Sequence, residues 1–209
     1  MTHATVNDRA VAGLPRLDDH GRAVLFTQAR TANNFSEGAV SEEQLQEIYE
    51  LMKWGPTWAN TLPLRILFVT TPEGKARLTP HLQPGNVAKA TAAPVNAILA
   101  VDNTFHHHIP RLLPFRPEMR DALEDDPVLR DRIGTGSAWL QAAYFIIAIR
   151  AAGLAAGPMG GFSPEGLDAE FFPADDWHSI LVVNIGHPGE NPWMDRLPRL
   201  DYQEAVRHA

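Results

Sequence analysis

Apolar residues at Leu45, Ile48, Leu51 and Met52 fall at i, i+3, i+6 and i+7, which lines one face of a helix. Ser41-Glu42-Glu43-Gln44 precedes them as a capping box, in which a hydroxyl and an amide satisfy orphan backbone donors reciprocally. The pattern stops at Gly55-Pro56. Arg65 to Thr71 then runs apolar and β-branched, the composition of a buried strand. Pro72 to Leu82 reads as a short helix and Pro94 to Val101 as a second strand. Residues 102–134 are rich in Pro and charge and give no clear period. Ser137 to Ala152 is apolar nearly all round, so it predicts a helix buried in the middle of the molecule.

Ser163-Pro164-Glu165 opens another helix in the expected order of cap, Pro and acid. Ser179 to Ile185 is a third strand, followed by a tail containing Arg196-Leu197-Pro198-Arg199-Leu200. Helices and strands alternate without the regular rhythm of a doubly wound sheet, so the fold class is α+β. The expected organisation is a flexible leader over 1–16 and a single domain over 17–209.

Composition narrows the chemistry. The 209 residues include no cysteine, which excludes a disulfide scaffold, thiolate-held metals and a thiol nucleophile. A net charge of -7 argues against nucleic acid or an anionic membrane as partner. Three lysines stand against fifteen arginines, so an arginine is expected to hold any phosphate. Met1 to His20 has no apolar core of the kind a signal peptide needs. Ala138 to Ala152, interrupted by Gln141 and Arg150, is shorter than the ~20 residues of a membrane span. A cytoplasmic protein is the expectation.

Four short stretches carry candidate chemistry. Ala29-Arg30-Thr31-Ala32-Asn33-Asn34-Phe35 offers a guanidinium beside neutral donors, suited to a phosphate and an attached polyol, or equally to a helix end with ordinary caps. Trp54-Gly55-Pro56-Thr57-Trp58-Ala59-Asn60-Thr61-Leu62-Pro63 joins indoles to a stiff turn and an amide that can donate and accept. It could grip a planar heteroaromatic ring, or be a loop with packed tryptophans. Gly157-Pro158-Met159-Gly160-Gly161-Phe162 would let backbone approach a ligand, or make a turn with positive φ. Its spacing is not that of a dinucleotide fingerprint. Arg196 is the last candidate, with a surface charge as the plain alternative.

In this order the four stretches resemble the flavin-dependent nitroreductase family, over roughly residues 22–203. The phrases Met52-Lys53-Trp54-Gly55-Pro56-Thr57, Gly85-Asn86, Gly157-Pro158-Met159, Phe171-Phe172, Asn184-Ile185-Gly186 and Arg196-Leu197-Pro198-Arg199-Leu200 are most similar to the subgroup containing the malonic semialdehyde reductase of pyrimidine degradation. The resemblance implies an α+β homodimer with a central mixed sheet, FMN at the subunit interface, and NADH or NADPH as co-substrate. It implies that Arg30, Thr31 and Arg196 hold the FMN phosphate and ribityl chain. Pro56, Thr57, Trp58 and Asn60 match the loop along the flavin; Pro158, Met159, Gly160 and Gly161 match the backbone near N5. The implied reaction is ping-pong hydride transfer to a small aldehyde such as malonic semialdehyde, or to a nitroaromatic or quinone. A flavin-storing protein without turnover is the non-enzymatic alternative.

Two departures from the family pattern stand out. Its first motif, Arg-Arg-Ser-x-Arg, reads Ala29-Arg30-Thr31-Ala32-Asn33 here, so a neutral amide replaces the cation expected near the flavin N1–C2 carbonyl. Its Gln-Pro-Trp reads Leu62-Pro63-Leu64. Arg65, Arg111, Arg116 and Arg120 are candidates to clamp a substrate carboxylate. No side chain presents itself as an obligatory general acid. His106-His107-His108 is expected in a mobile surface loop, because three successive side chains diverge, and Glu124-Asp125-Asp126 is expected to be a solvated helix end. No metal site is assigned.

Overall fold

The computed structural model describes residues 14–209, so most of the leader expected over 1–16 lies outside the described residues. Helix α1 (Asp19–Arg22) passes into a π-type turn over Ala23–Thr27. After α2 (Glu42–Met52) and a 3-10 turn at Trp58–Asn60 come β1 (Leu64–Val69), α3 (Pro72–Leu78), α4 (Pro84–Ala92) and β2 (Val95–Asp102). A 3-10 helix at Phe105–His108 leads into α5 (Ile109–Leu112), α6 (Met119–Asp125) and the long α7 (Pro127–Ala151). Strand β3 (Ala155–Met159), α8 (Pro164–Phe171), β4 (Trp177–Gly186) and α9 (Tyr202–Ala205) complete the order.

The strands form one sheet, β1-β2-β4-β3. Every pairing among the described residues is antiparallel, which corrects the expected mixed sheet. Strand β2 is buried along its whole length because both of its faces are covered. Val95, Ala97, Leu99 and Val101 face α2 and α7, where Ile48, Met52, Phe145 and Ile149 meet them. Ile98 and Ala100 point the other way, against Leu78, Ala90 and Leu167 of α3, α4 and α8. The period of two therefore vanishes from the hydropathy of β2, and a continuous apolar run remains.

The capping box is formed: Gln44 N donates to Ser41 Oγ at 3.3 Å, and Ser41 N to Gln44 Oε1 at 3.0 Å. Helix α7 begins ten residues before the predicted start, with Asp126 as its cap accepting from Leu129 N. It is not buried all round. Its inner face holds Ala138, Ala142 and Phe145, whereas Trp139, Leu140 and Tyr144 are open to solvent. The irregular 102–134 stretch folds into helices around Phe105, Ile109, Leu113, Leu123 and Ile133. No helix of the described residues is long and apolar enough to cross a membrane.

The histidine run is a helical turn rather than a mobile loop. His106 is 2% exposed and its Nε2 lies 2.7 Å from Glu124 Oε2. Burial holds the His106 imidazole below its usual pKa, and the neighbouring Glu124 only partly offsets this. A depressed histidine pKa means that the native state binds fewer protons than the unfolded chain, so stability falls as pH drops through the ordinary imidazole range. His106→Gln should flatten that acid limb in a urea-midpoint series against pH; an unchanged slope would refute the assignment. At β3, a Cβ on Gly157 would lie 2.6 Å from the Ala32 carbonyl oxygen. Gly157→Ala should therefore cost about 1–3 kcal/mol, read from the same urea midpoints.

Candidate functional site

Segment 30–36 lies along the outer edge of β3 and the chain after β4. Ala32 N donates to Ala156 O at 2.9 Å, Asn33 N to Pro192 O at 2.9 Å, and Ser36 N to His187 O at 3.0 Å. This backbone strip lets two arginines clasp each other's segments. The Arg30 guanidinium donates to the Met194 carbonyl, and Arg196 Nη2 donates to Thr27 O at 2.8 Å. Both line a cavity of about 300 Å³ with Thr31, Asn33, Arg150 and Arg199.

The electrostatics of this cavity are one-sided. Arg150 donates to Leu25 O, and Arg199 to Leu197 O and Pro198 O. Among the described residues none of the four guanidiniums forms an ion pair with a carboxylate. Asp195 is the only acid in the lining. Carbonyl partners orient the planar groups and leave their charge uncompensated, the condition that favours a multiply charged oxyanion. Burial pulls the Arg150 pKa below its usual value, yet a guanidinium stays protonated at any physiological pH. Asn33 Nδ2 reaches Thr31 O at 3.3 Å, so its amide sits at the rim of the cationic group.

Loop 56–62 is a different kind of structure. Ala59, Asn60 and Leu62 have φ of 47°, 54° and 45°, in the left-handed region, which costs Ala and Leu roughly 1–2 kcal/mol each and Asn less. Local bonds hold this strain: Leu62 N donates to Thr57 Oγ1, and Thr61 Oγ1 donates to Trp58 O at 2.9 Å. Trp58 N donates to Ser137 Oγ, and Asn60 Nδ2 to Leu112 O at 2.9 Å. The amide of Asn60 is thus committed to α5, while Pro56 and Trp58 reach solvent. Strain of this kind concentrates where a loop has a job beyond connection.

Gly157, Pro158 and Met159 belong to β3, not to a turn, and neither Gly160 nor Gly161 has positive φ. Pro158 is tolerated because β3 is an edge strand. The Met159 side chain is buried, with Asn184 Nδ2 donating to its sulfur at 3.4 Å, so only its backbone is offered outward. Gly161 is closely packed: a Cβ there would meet the ends of the Gln83 and Asn86 side chains at 2.6 and 2.7 Å, which would have to move. A Cβ on Gly160 would meet nothing within 4 Å, so this residue borders open space.

A larger cavity of about 510 Å³ lies between α2 and β1. Leu45, Met52, Leu64 and Phe68 give it an apolar wall, and Arg65, Arg111 and His108 a cationic one. Arg65 is paired with Asp102 at 2.5 Å. Arg111 forms no ion pair among the described residues. Desolvation, then the charges of Arg65 and Arg111, keep the His108 imidazole below its usual pKa. Arg116 and Arg120 pair instead with Glu118 and Asp121 on the surface.

Arg30, Thr31, Asn33 and Arg196 thus converge, and residues 158–161 continue from the strand beside them. The cavity they line contains no residue of the 56–60 loop. Arg150 and Arg199 escaped the sequence reading. The one signal for Arg150 was a charge in an apolar helix, and Arg199 was visible only within the Arg-Leu-Pro-Arg-Leu phrase.

The model of the nitroreductase family matches residues 27–187. A protein of Streptomyces coelicolor named NADH dehydrogenase/NAD(P)H nitroreductase is 54% identical over 193 residues, covering 92% of this chain and 96% of its own. One of the same name from Streptomyces griseus is 47% identical, with 91% and 96% covered. Among solved structures, a nitroreductase in complex with FMN from Exiguobacterium sibiricum superposes with a TM-score of 0.79 at 17% identity, covering 94% and 99% of the two chains. An NAD(P)H:FMN oxidoreductase from Staphylococcus epidermidis gives 0.77 at 19%, covering 94% and 98%. At these identities the structural likeness speaks for the fold, and the family match together with the Streptomyces relatives carries the assignment: the chain belongs to the nitroreductase family.

Proposed function

We propose that this chain is a cytoplasmic FMN-dependent NAD(P)H oxidoreductase that works as a pair of identical subunits. The observation that carries the reading is the cavity lined by four arginines that form no ion pair with a carboxylate among the described residues. An FMN phosphate, close to a dianion at neutral pH, fits that charge. Arg30, Thr31 and Arg196 would hold the phosphate and ribityl chain, with Arg150 and Arg199 adding charge behind them. Asn33 would donate to the N1–C2 edge of the ring, and the backbone of residues 158–161 would run past N5. When bound, the flavin takes a hydride from NAD(P)H and passes it to the acceptor. The chain's own part is to hold, orient and desolvate.

The loop of Pro56, Thr57, Trp58 and Asn60 borders a different part of the surface, so we assign it to the flavin of a second copy. Tyr49 and Leu51 of α2 and Trp139, Leu140 and Tyr144 of α7 are exposed apolar side chains that such a partner would cover. Gly55 supports the same face, since a Cβ there would meet the Tyr144 ring at 2.6 Å.

Two acceptor classes follow from different observations. The names of the Streptomyces relatives favour a nitro compound. The pairing of an apolar wall with Arg65 and Arg111 favours a small carboxylated aldehyde such as malonic semialdehyde. In that case hydride from NAD(P)H and a proton from water give the 3-hydroxy acid and NAD(P)+.

The purified protein is expected to be yellow, to bleach with NAD(P)H under anaerobic conditions, and to sediment as a dimer. A colourless protein that takes up no FMN would refute the proposal, and one that binds FMN without bleaching would be a store. Arg196→Ala should weaken FMN binding by about tenfold or more, the loss of one charge-assisted pair. Unchanged affinity would remove Arg196 from the phosphate site. Re-oxidation by a nitroaromatic or by malonic semialdehyde separates the acceptors. If the acid is the substrate, Arg111→Ala should raise its KM and leave that for the nitroaromatic unchanged.

A further inference from the structure

We propose that His106, His107 and Glu124 form a binding site for one divalent transition-metal ion of the zinc type, separate from the arginine-lined cavity. His106 and His107 are the second and third residues of the 3-10 helix Phe105–His108, and Glu124 stands in the last turn of α6. Both Nε2 atoms converge on one carboxylate oxygen, Glu124 Oε2, at 2.7 and 3.3 Å. The three donor atoms lie within 4.8 Å of one another, and this is the one such group among the described residues. The two rings lean together, with centroids 4.4 Å apart.

The separations suit an ion of this size. Tetrahedral zinc binds nitrogen and oxygen at ~2.0–2.1 Å, which places neighbouring donors about 3.3 Å apart. The His107–Glu124 separation already meets this, and the His106–Glu124 separation, at 2.7 Å, needs an opening of about 0.6 Å. Glu124 can supply the movement, because its side chain is half exposed at a helix end. His106 supplies the fixed point, being buried against the Phe105 ring edge.

Protonation states also agree. Burial lowers the His106 pKa, and hydrogen bonds from the two imidazoles lower that of Glu124; both shifts run toward the deprotonated forms that bind a metal. The two imidazoles select zinc, copper, nickel or iron over magnesium and calcium, which an all-oxygen site would suit better. His107 and Glu124 face solvent, which gives the ion an entry path and leaves its remaining position to water. The ion would join the 3-10 helix to α6 and fix the turn that carries His108 and Arg111 to the large cavity.

The test is titration of the chelator-treated full chain with zinc chloride, followed by calorimetry, alongside His107→Ala and Glu124→Gln. Both variants change half-exposed side chains and leave the buried His106 ring in place. The expected result is one saturable site per chain, weakened by about tenfold or more in each variant. No saturable zinc binding in the unmodified chain would overturn the proposal. So would equal affinity in all three proteins, which would assign the zinc to other histidines.

Discussion

Segment 30–36 can sit beside β3 only because residue 157 has no side chain. The Ala32 carbonyl occupies the space that a Cβ would need, and Phe35 and Asn184 close the same spot from other directions. That contact sets the depth at which the strip rests, and with it the reach of Arg30 toward Met194 and of Arg196 toward Thr27. Gly189 repeats the constraint further along, where a Cβ would meet the Phe35 backbone at 2.7 Å. Two tight backbone approaches therefore position the cationic cavity. The arginines follow from them.

Much of the fold was legible in the sequence because local rules govern it. The box at Ser41, the cap at Ser163 and the apolar runs of β1, β2 and β4 each formed where their residues implied. Strand β3 was not legible, since Ala-Ala-Gly-Pro-Met has little strand propensity and pairs only because β4 presents an edge to it. Residues 102–134 failed for a related reason. The helices over 105–125 are short, and they are held by packing around Phe105 and by the bonds to Glu124 rather than by any period of their own.

The candidate site was legible as words and not as an arrangement. Arg30 and Arg196 were visible as separate charges 166 residues apart, and their mutual clasp depends on the path of the chain after β4. Arg150 was hidden because burial of one helix flank looked like burial of the whole. The loop at 56–62 gave little sign of its left-handed backbone, because only Asn60 is of a type that favours it, and Ala59 and Leu62 are not. The four carboxylate-clamp candidates were equivalent in sequence. In space Arg65 and Arg111 share a cavity, and the other two are ordinary surface pairs.

The exposure of the indole rings has an optical consequence. Four of the five tryptophans, Trp54, Trp58, Trp139 and Trp193, lie largely in contact with solvent, at 80%, 44%, 46% and 44%. Emission from the separate chain is therefore dominated by wet, red-shifted fluorophores spread over the faces where a flavin or a second subunit would settle. Anything that covers those faces must shift the spectrum to the blue or quench it, so the indoles report any such covering in real time.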